Sequence, residues 1–407
     1  MAVEITDGRI KDGLVTLTSE QQDETERACE PYLSLSQMPL LDRENHLDWL
    51  QGGLDELPDY MVMLDASRPW IMYWTLNAMA LLGGDISIYR DRLISSLRSC
   101  QHPDGGFGGG DGQLAHLAPT YAAINALAIV GGEEAYEIVD RKAMYSWLMS
   151  LKQEDGSFLM LYGGENDSRA MYCALSIASL LNLTTPELTR GCAEWLSRCQ
   201  TYEGGLAGVP GAEAHGGYAF CVLASLCLLG PPSEVLPKYL NFSNLVRWLS
   251  ARQYSPEGGL SGRTNKLVDG CYSWWVGGCW ALVEAAIPAS KLQRPLWDRG
   301  ELQKYILACC QHKNGGLRDK PEKWPDHYHS CYVLSGLSAA QYKYTYRGVG
   351  IGMDLGNAFA WAAEGTRKED GIEVRKEDKV KMVHPVFVVP WGCAEQMRKW
   401  ALANPIQ

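Results

Sequence analysis

The feature that most limits the possible folds is a repeat of about 50 residues through the middle of the chain. Five segments share one cadence: "CQHPDGGFGG" at Gln101, "KQEDGSFLM" at Gln153, "CQTYEGGLAG" at Gln200, "RQYSPEGGLSG" at Gln253 and "CQHKNGGLRD" at Gln311. Each runs from glutamine through polar residues to Gly-Gly or Gly-Ser, then Phe or Leu. Glycine pairs permit positive φ and close backbone approach, so each cadence reads as a tight turn. Before each turn, as in "YRDRLISSLRSC" and "SNLVRWLSAR", apolar residues recur at helical spacing between charges. After each turn comes a segment apolar all round, such as "TYAAINALAIVG" or "GGYAFCVLASLCLLG". A helix apolar all round is buried.

Each repeat is therefore one half-exposed helix and one buried helix. No single pair can bury its own apolar face, so neighbours must stack. They can stack as an open solenoid or as a closed ring with the buried helices inside. The expected fold class is all-α, an α–α toroid of about six helical hairpins, with the sixth unit supplied around "WIMYWTLNAMALLGG" at Trp70. The expected organisation is an N-terminal extension over 1–60, the toroid over 61–345, and a charged loop with a closing helix over 346–407. The glycine-rich and then charged stretch after Tyr346, "EGTRKEDGIEVRKEDK" included, reads as a mobile insertion, and "HPVFVV" with "CAEQMRKWALA" reads as packing back on the ring. Residues 1–60 suggest no chemistry.

At 407 residues and nearly half apolar, the chain can bury a large core. A net charge of −11 argues against nucleic acid as the main partner. The N-terminus has no secretory pattern, and the apolar runs are too short to span a bilayer. Thirteen scattered cysteines then read as free thiols in a reducing cytoplasm.

Polar residues stand at matching offsets where the buried helices begin: His116, Asp167 with Arg169, His215, Asp269 and Asp326. Shortly after them come Tyr172, Tyr218, Cys271 and His329. In a ring these positions face one another at one end of the bore. Asp269, Cys271 and His329 offer carboxylate, thiolate and imidazole, and three such ligands with an open fourth position is the pattern of a catalytic zinc. The bland alternative is three polar residues satisfied in a core. His215, Arg263, Lys266 and Arg169 are either structural ion pairs or a diphosphate site at the cavity mouth. Trp70, Trp74, Tyr218, Trp274, Trp275, Tyr328 and Tyr332 are either core or the lining of a bore for a long hydrocarbon.

These residues resemble the β subunits of protein prenyltransferases, most closely the farnesyl-transferring branch. The resemblance runs from about residue 60 to about residue 345 and is most specific in "SRPWIMYW", "HGGYAFC", "GRTNKLVDGCYSWW" and "GGLRDKPEKWPDHYHSCYVLSGL". It implies a zinc ion, one per chain, on Asp269, Cys271 and His329, and a diphosphate site of His215, Arg263, Lys266 and Tyr272. It implies an isoprenoid and peptide pocket of Trp70, Trp74, Arg169, Tyr172, Gly217, Tyr218, Cys221, Trp275, Tyr328 and Tyr332. Asp319 matches a carboxylate linked to Mg2+ acting with the diphosphate. The stretch around Trp324 departs from the family pattern, which leaves Lys320 and Lys323 without an assigned role.

The implied reaction transfers a farnesyl group from farnesyl diphosphate to the cysteine thiol of a C-terminal C-a-a-X protein. The implied partner is a prenyltransferase α subunit, in a cytoplasmic heterodimer with no membrane span and no nucleic acid. Bulky Trp70 and Tyr332 floor the bore for the shorter chain, and Asp319 points the same way. The nearest alternative is a type I geranylgeranyl β subunit. A terpene-cyclase-like toroid would need an Asp-rich D-x-D-D motif, which is absent, and a non-catalytic toroid would need no metal.

Overall fold

The computed structural model describes residues 13–55, 57, 59–288, 290, 295–348 and 355–406. Two kinds of helix alternate between the glycine turns. The outer ones are α2 (Arg43–Gly52), α4 (Arg90–Cys100), α7 (Arg141–Leu151), α10 (Cys192–Ser197), α13 (Phe242–Ser250) and α16 (Arg299–Tyr305). The last continues as a π turn over Ile306–Cys310. The inner ones are α3 (Arg68–Leu82), α5 (Leu117–Val130), α8 (Ser168–Leu180), α11 (Gly216–Leu229), α14 (Tyr272–Trp275) with α15 (Cys279–Ala286), and α17 (His327–Gln341). Helices α6 (Glu133–Tyr136), α9 (Pro186–Thr189) and α12 (Pro232–Tyr239) link units, while α1 (Leu17–Leu33) and α18 (Cys393–Ala403) flank the ring.

The inner helices form a complete circuit. Helix α3 packs on α5, α5 on α8, α8 on α11, α11 on α14 and α15, α14 on α17, and α17 back on α3. The closed toroid is therefore the architecture, and the open solenoid is not. One expected inner helix is broken: "CYSWWVGGCWALVEAA" splits into α14 and α15 around Val276–Gly278.

Outer helices hold by their inward faces. Helix α13 has nine residues and buries Leu245, Val246, Trp248 and Leu249. A helix that short is marginal alone, and full burial contributes about 1.5–3 kcal/mol per large apolar side chain.

The glutamine of the cadence fastens each unit to the next. Gln200 Oε1 accepts from the Asn241 amide at 2.7 Å, and its Nε2 donates to the Asn241 and Gly204 carbonyls. Gln253 does the same with Asp298 and Gly258. Asn241 and Asp298 cap α13 and α16, so each clasp grips the start of the next outer helix. The second repeat differs from the expected register. Lys152, not Gln153, pairs with Phe158, and its ammonium donates to the Gly156 carbonyl at 2.8 Å.

The last clasp closes the ring. Gln311 Oε1 accepts from the Asp42 amide at 2.8 Å, and Nε2 donates to Leu40 O at 3.0 Å. Gly315 has φ +85°, and a Cβ there would lie 2.3 Å from the Asn45 carbonyl of α2. The expected boundary at residue 60 therefore falls inside the ring: α2 is the outer helix of the first unit. Its turn partner is the last cadence, at the far end of the sequence. Helix α1 packs on the π turn, and Gln22 Nε2 donates to the Lys266 carbonyl at 3.3 Å.

After α17 the chain forms a two-stranded antiparallel sheet, β1 (Tyr342–Tyr346) with β2 (Trp361–Gly365). The charged part of the expected mobile insertion is tied down, and its glycine-rich part over 349–354 lies outside the described residues. Asp378 is fully buried and accepts from the Leu41 amide at 2.9 Å, and Arg43 donates to the Glu377 and Lys379 carbonyls. "HPVFVV" does pack on the ring, as a hairpin in which Val383 pairs with Pro390. Three inner tyrosines donate to its consecutive carbonyls: Tyr172 to Val386 (2.7 Å), Tyr121 to Phe387 (3.2 Å) and Tyr73 to Val388 (2.7 Å). These contacts seal one end of the bore.

Candidate functional site

The other end is built from the starts of the inner helices. His116, His215, Asp269 and Asp326 each donate their backbone amide to the Phe or Leu of the preceding turn, so they are structurally equivalent. His116, Asp167, His215 and Asp326 are N-caps. Capping by itself explains polar residues at the head of an apolar helix, so what marks a site is what else these side chains meet.

Asp269, Cys271 and His329 meet one another. Their donor atoms all lie within 4.8 Å, and no other such trio of His, Cys, Asp or Glu occurs among the described residues. Cys271 precedes α14 and His329 lies in the first turn of α17. Those helices approach closely because Gly336 faces Ser273, whose Cβ would be 2.3 Å from an added Cβ.

His329 Nε2 lies 3.1 Å from Asp269 Oδ1, and Nδ1 lies 2.6 Å from Asp326 Oδ2. The other oxygen of Asp326 accepts from the His329 amide at 2.7 Å while capping α17. Asp326 therefore holds the ring at Nδ1 and leaves Nε2 aimed at the site, the arrangement that orients histidine ligands in metal centres. Sequence reading saw Asp326 as a polar offset and gave it no such role; the signal was its position three residues before His329.

The charges ask for a cation. Burial alone would lower the His329 imidazole, yet Asp269 and Asp326 raise it to about 10. Burial pushes the Asp269 carboxyl up, but His329 brings it down to about 2. Burial, then the Asp269 charge, pushes the Cys271 thiol up. The imidazolium faces a carboxylate with each ring nitrogen and the Cys271 thiol keeps its own proton, where a divalent ion on Asp269, Cys271 and His329 would replace the Nε2 and thiol protons. The oxygen, sulfur and nitrogen donor set fits zinc. Asp326→Asn is expected to weaken divalent-ion binding about 10- to 100-fold, measured by competition against a chromophoric chelator.

Beside the trio opens a cavity of about 630 Å³. Arg169, Glu213, His215, Gly217, Tyr218, Cys221, Arg263, Tyr272, Trp275 and Tyr328 line it. His215 Nδ1 accepts from the Gly217 amide at 3.0 Å, so the ring proton sits on Nε2 and is donated to Tyr272 Oη at 3.0 Å. The Tyr272 hydroxyl proton is then free to point into the cavity. Burial, then the Arg263 charge, lowers the His215 pKa, so this imidazole is neutral near pH 7.

Two expected polar residues lie off this lining. Lys266 is half-buried on the Arg263 loop, outside the cavity wall. Asp319 is held by the neighbouring Lys320 ammonium, with both carboxylate oxygens in contact at 2.6 and 2.5 Å. It sits near the trio: burial, then the Asp269 charge, raises its pKa.

Deeper in, aromatic rings form a closed belt. Trp70 stacks on Trp74 at 5.2 Å, Trp74 meets Tyr328 at 5.6 Å, and Tyr328 meets Tyr332 at 4.9 Å. Tyr332 meets Trp275 (4.3 Å), Trp275 meets Phe220 (5.7 Å), and Phe220 meets Tyr172 (5.6 Å). Tyr172 meets Tyr121 (5.3 Å), which returns to Trp70 (5.8 Å). Every unit of the ring contributes. Sequence reading missed Tyr121 and Phe220, although each is the fifth residue of a helix already read as buried. Trp274 is not a link in this circuit; it is buried and meets Phe220 at 5.2 Å.

Known proteins agree with this architecture. The family described as "Prenyltransferase alpha-alpha toroid domain" matches residues 41–389. Protein farnesyltransferase subunit beta of Pyricularia oryzae is 49% identical over 416 residues, covering 94% of this chain and 80% of that protein. The subunit of the same name from Schizosaccharomyces pombe is 41% identical, covering 95% of this chain and 97% of its own. The solved Candida albicans protein geranylgeranyltransferase-I complexed with GGPP has a TM-score of 0.67 at 21% identity, covering 89% of this chain and 99% of that one, which bears on fold alone. With its closed toroid and near-complete coverage by such relatives, the chain belongs to the β-subunit family of protein farnesyltransferases.

Proposed function

We propose that this chain is the catalytic β subunit of a zinc-dependent protein farnesyltransferase, working with a prenyltransferase α subunit. It transfers farnesyl from farnesyl diphosphate to the cysteine of a C-terminal C-a-a-X sequence. The observation that carries the reading is the Asp269–Cys271–His329 trio at the rim of a polar cavity above an aromatic belt. Asp269, Cys271 and His329 would hold the zinc. When bound, zinc lowers the pKa of a coordinated thiol and so supplies thiolate at neutral pH.

The chain's own residues do the rest. The belt from Trp70 to Tyr332 covers the prenyl chain, fixing its first carbon near the trio and excluding water. The peptide sulfur bonds to that carbon as the carbon–oxygen bond to diphosphate breaks, and the thiol proton passes to solvent. Arg263 and the free Tyr272 hydroxyl donate to the departing diphosphate, with His215 holding Tyr272 in place. Lys266 would join them by a side-chain swing from its neighbouring loop. Asp319 would hold Mg2+ with the diphosphate once Lys320 moves aside.

No described helix is long and apolar enough to cross a membrane, and the reading places the heterodimer in the cytoplasm. The test is co-purification with a candidate α subunit, then metal content and farnesyl transfer to a Cys-a-a-X peptide. About one zinc per chain and chelator-sensitive transfer are expected, with the isolated chain inactive. Transfer that survives complete zinc removal would refute the reading.

A further inference from the structure

Two arginines reach the cavity, and each already has a carboxylate. Their partners differ in kind. Arg169 contacts Asp167 at 2.6 Å, and Asp167 also accepts from the Arg169 and Ala170 amides as the N-cap of α8. The Asp167 side chain is only 9% exposed. The cap holds Asp167 in place, so Arg169 keeps a fixed carboxylate beside it whether or not the cavity is filled.

Arg263 is paired differently. Its Nη1 lies 3.0 Å from Glu213 Oε2, and the two side chains are 39% and 58% exposed. No other hydrogen bond or ion pair of the Glu213 side chain is found among the described residues. An exposed pair with one contact is weak, and nothing in the fold holds Glu213 in place. Glu213 also stands two residues before His215, on the same cavity wall.

We infer that Glu213 is a displaceable placeholder: it occupies the Arg263 guanidinium in the empty site and competes with any diphosphate group that enters. A diphosphate offers more oxygen acceptors than one carboxylate and takes the guanidinium by multiple contacts. The displaced Glu213 remains nearby as a like charge, so it weakens the grip on the inorganic diphosphate left after transfer and speeds its departure. The contrast with Asp167 also explains why Arg263, and not Arg169, is available to the diphosphate. The inference rests on the diphosphate reading of this cavity given above.

The experiment uses the assembled heterodimer and inorganic pyrophosphate as the probe, measured as a competitive inhibitor against farnesyl diphosphate. Glu213→Gln is expected to lower the pyrophosphate Ki about 3- to 10-fold, with the effect shrinking as salt rises. Arg263→Gln is expected to raise that Ki, and in its background Glu213→Gln should tighten binding less than in the native site, because the competition for Arg263 is gone and only the like-charge repulsion remains. An unchanged or raised Ki for Glu213→Gln, with Arg263→Gln still raising it, overturns the placeholder and leaves the diphosphate site standing. An unchanged Ki for Arg263→Gln overturns the diphosphate site itself, and the placeholder with it.

Discussion

Cys271→Ser in the assembled heterodimer is expected to abolish stoichiometric zinc and to cut prenyl transfer by about 100-fold or more, beyond the loss expected for an outer-shell residue such as Asp326. The reason is the count of donors. Asp269 and His329 already face each other at 3.1 Å, and the sulfur is the soft third ligand that distinguishes zinc from harder ions. Two donors do not hold zinc in a structural or catalytic site. His329→Ala should behave alike. The informative control is Cys331→Ser. Cys331 is fully buried two residues after His329 on α17, where the Asn77 amide contacts its sulfur at 3.2 Å, and it is outside the trio. Zinc content by atomic absorption should fall for Cys271→Ser and hold for Cys331→Ser. Equal zinc in both variants would remove the metal centre from this account.

The second large effect concerns donor length. Trp70 stacks on Trp74 and also touches Tyr73 and Tyr121, with ring centroids 6.0 and 5.8 Å away. Trp70→Thr removes the indole and opens space down to those two phenols, which cannot retreat because each donates to a carbonyl of the 383–390 hairpin. A geranylgeranyl donor carries one more isoprene unit. At about 0.8 kcal/mol per buried CH₂, burying a five-carbon unit that the native bore excludes should shift the ratio of kcat/KM for the two donors at least about 30-fold toward the longer one. Competition between the two diphosphates on one peptide measures it. An unshifted ratio would mean that Trp70 does not set the depth, and the farnesyl assignment would lose its structural reason.

Much of this was legible from residue order alone, because a toroid is local along the chain. Each turn, its glutamine and its buried helix lie within one repeat, so helical periodicity and glycine pairs show them directly. What periodicity cannot show is closure. The pairing of Gln311 with Asp42, and of Gly315 with α2, joins segments at opposite ends of the sequence, so α2 looked like part of an extension. Lys152 escaped notice because the neighbouring Gln153 imitates the motif one residue late.

The site was legible to the extent that its chemistry is unusual. Asp269, Cys271 and His329 stand out on apolar helices, and the structure brings them together. Asp326 and Glu213 do not stand out, since a capping aspartate and a surface glutamate are common. Their roles come from what lies across the cavity. Charge density misled in the opposite direction around residues 364–380. Composition there suggested a solvated segment, but Asp378 is buried and Arg375 donates to the Met38 and Pro39 carbonyls, binding the tail to the start of the ring.

The hairpin that plugs the bore follows every repeat in chain order, and this orders events during synthesis. Until residues 383–390 leave the ribosome, Tyr73, Tyr121 and Tyr172 have no carbonyls to receive their protons, and the barrel is a pipe open to water at both ends. A nascent chain can stack all its repeats and still lack a dry compartment. A chain cut just before residue 383 would keep the metal trio and lose the vessel in which a hydrocarbon could be held.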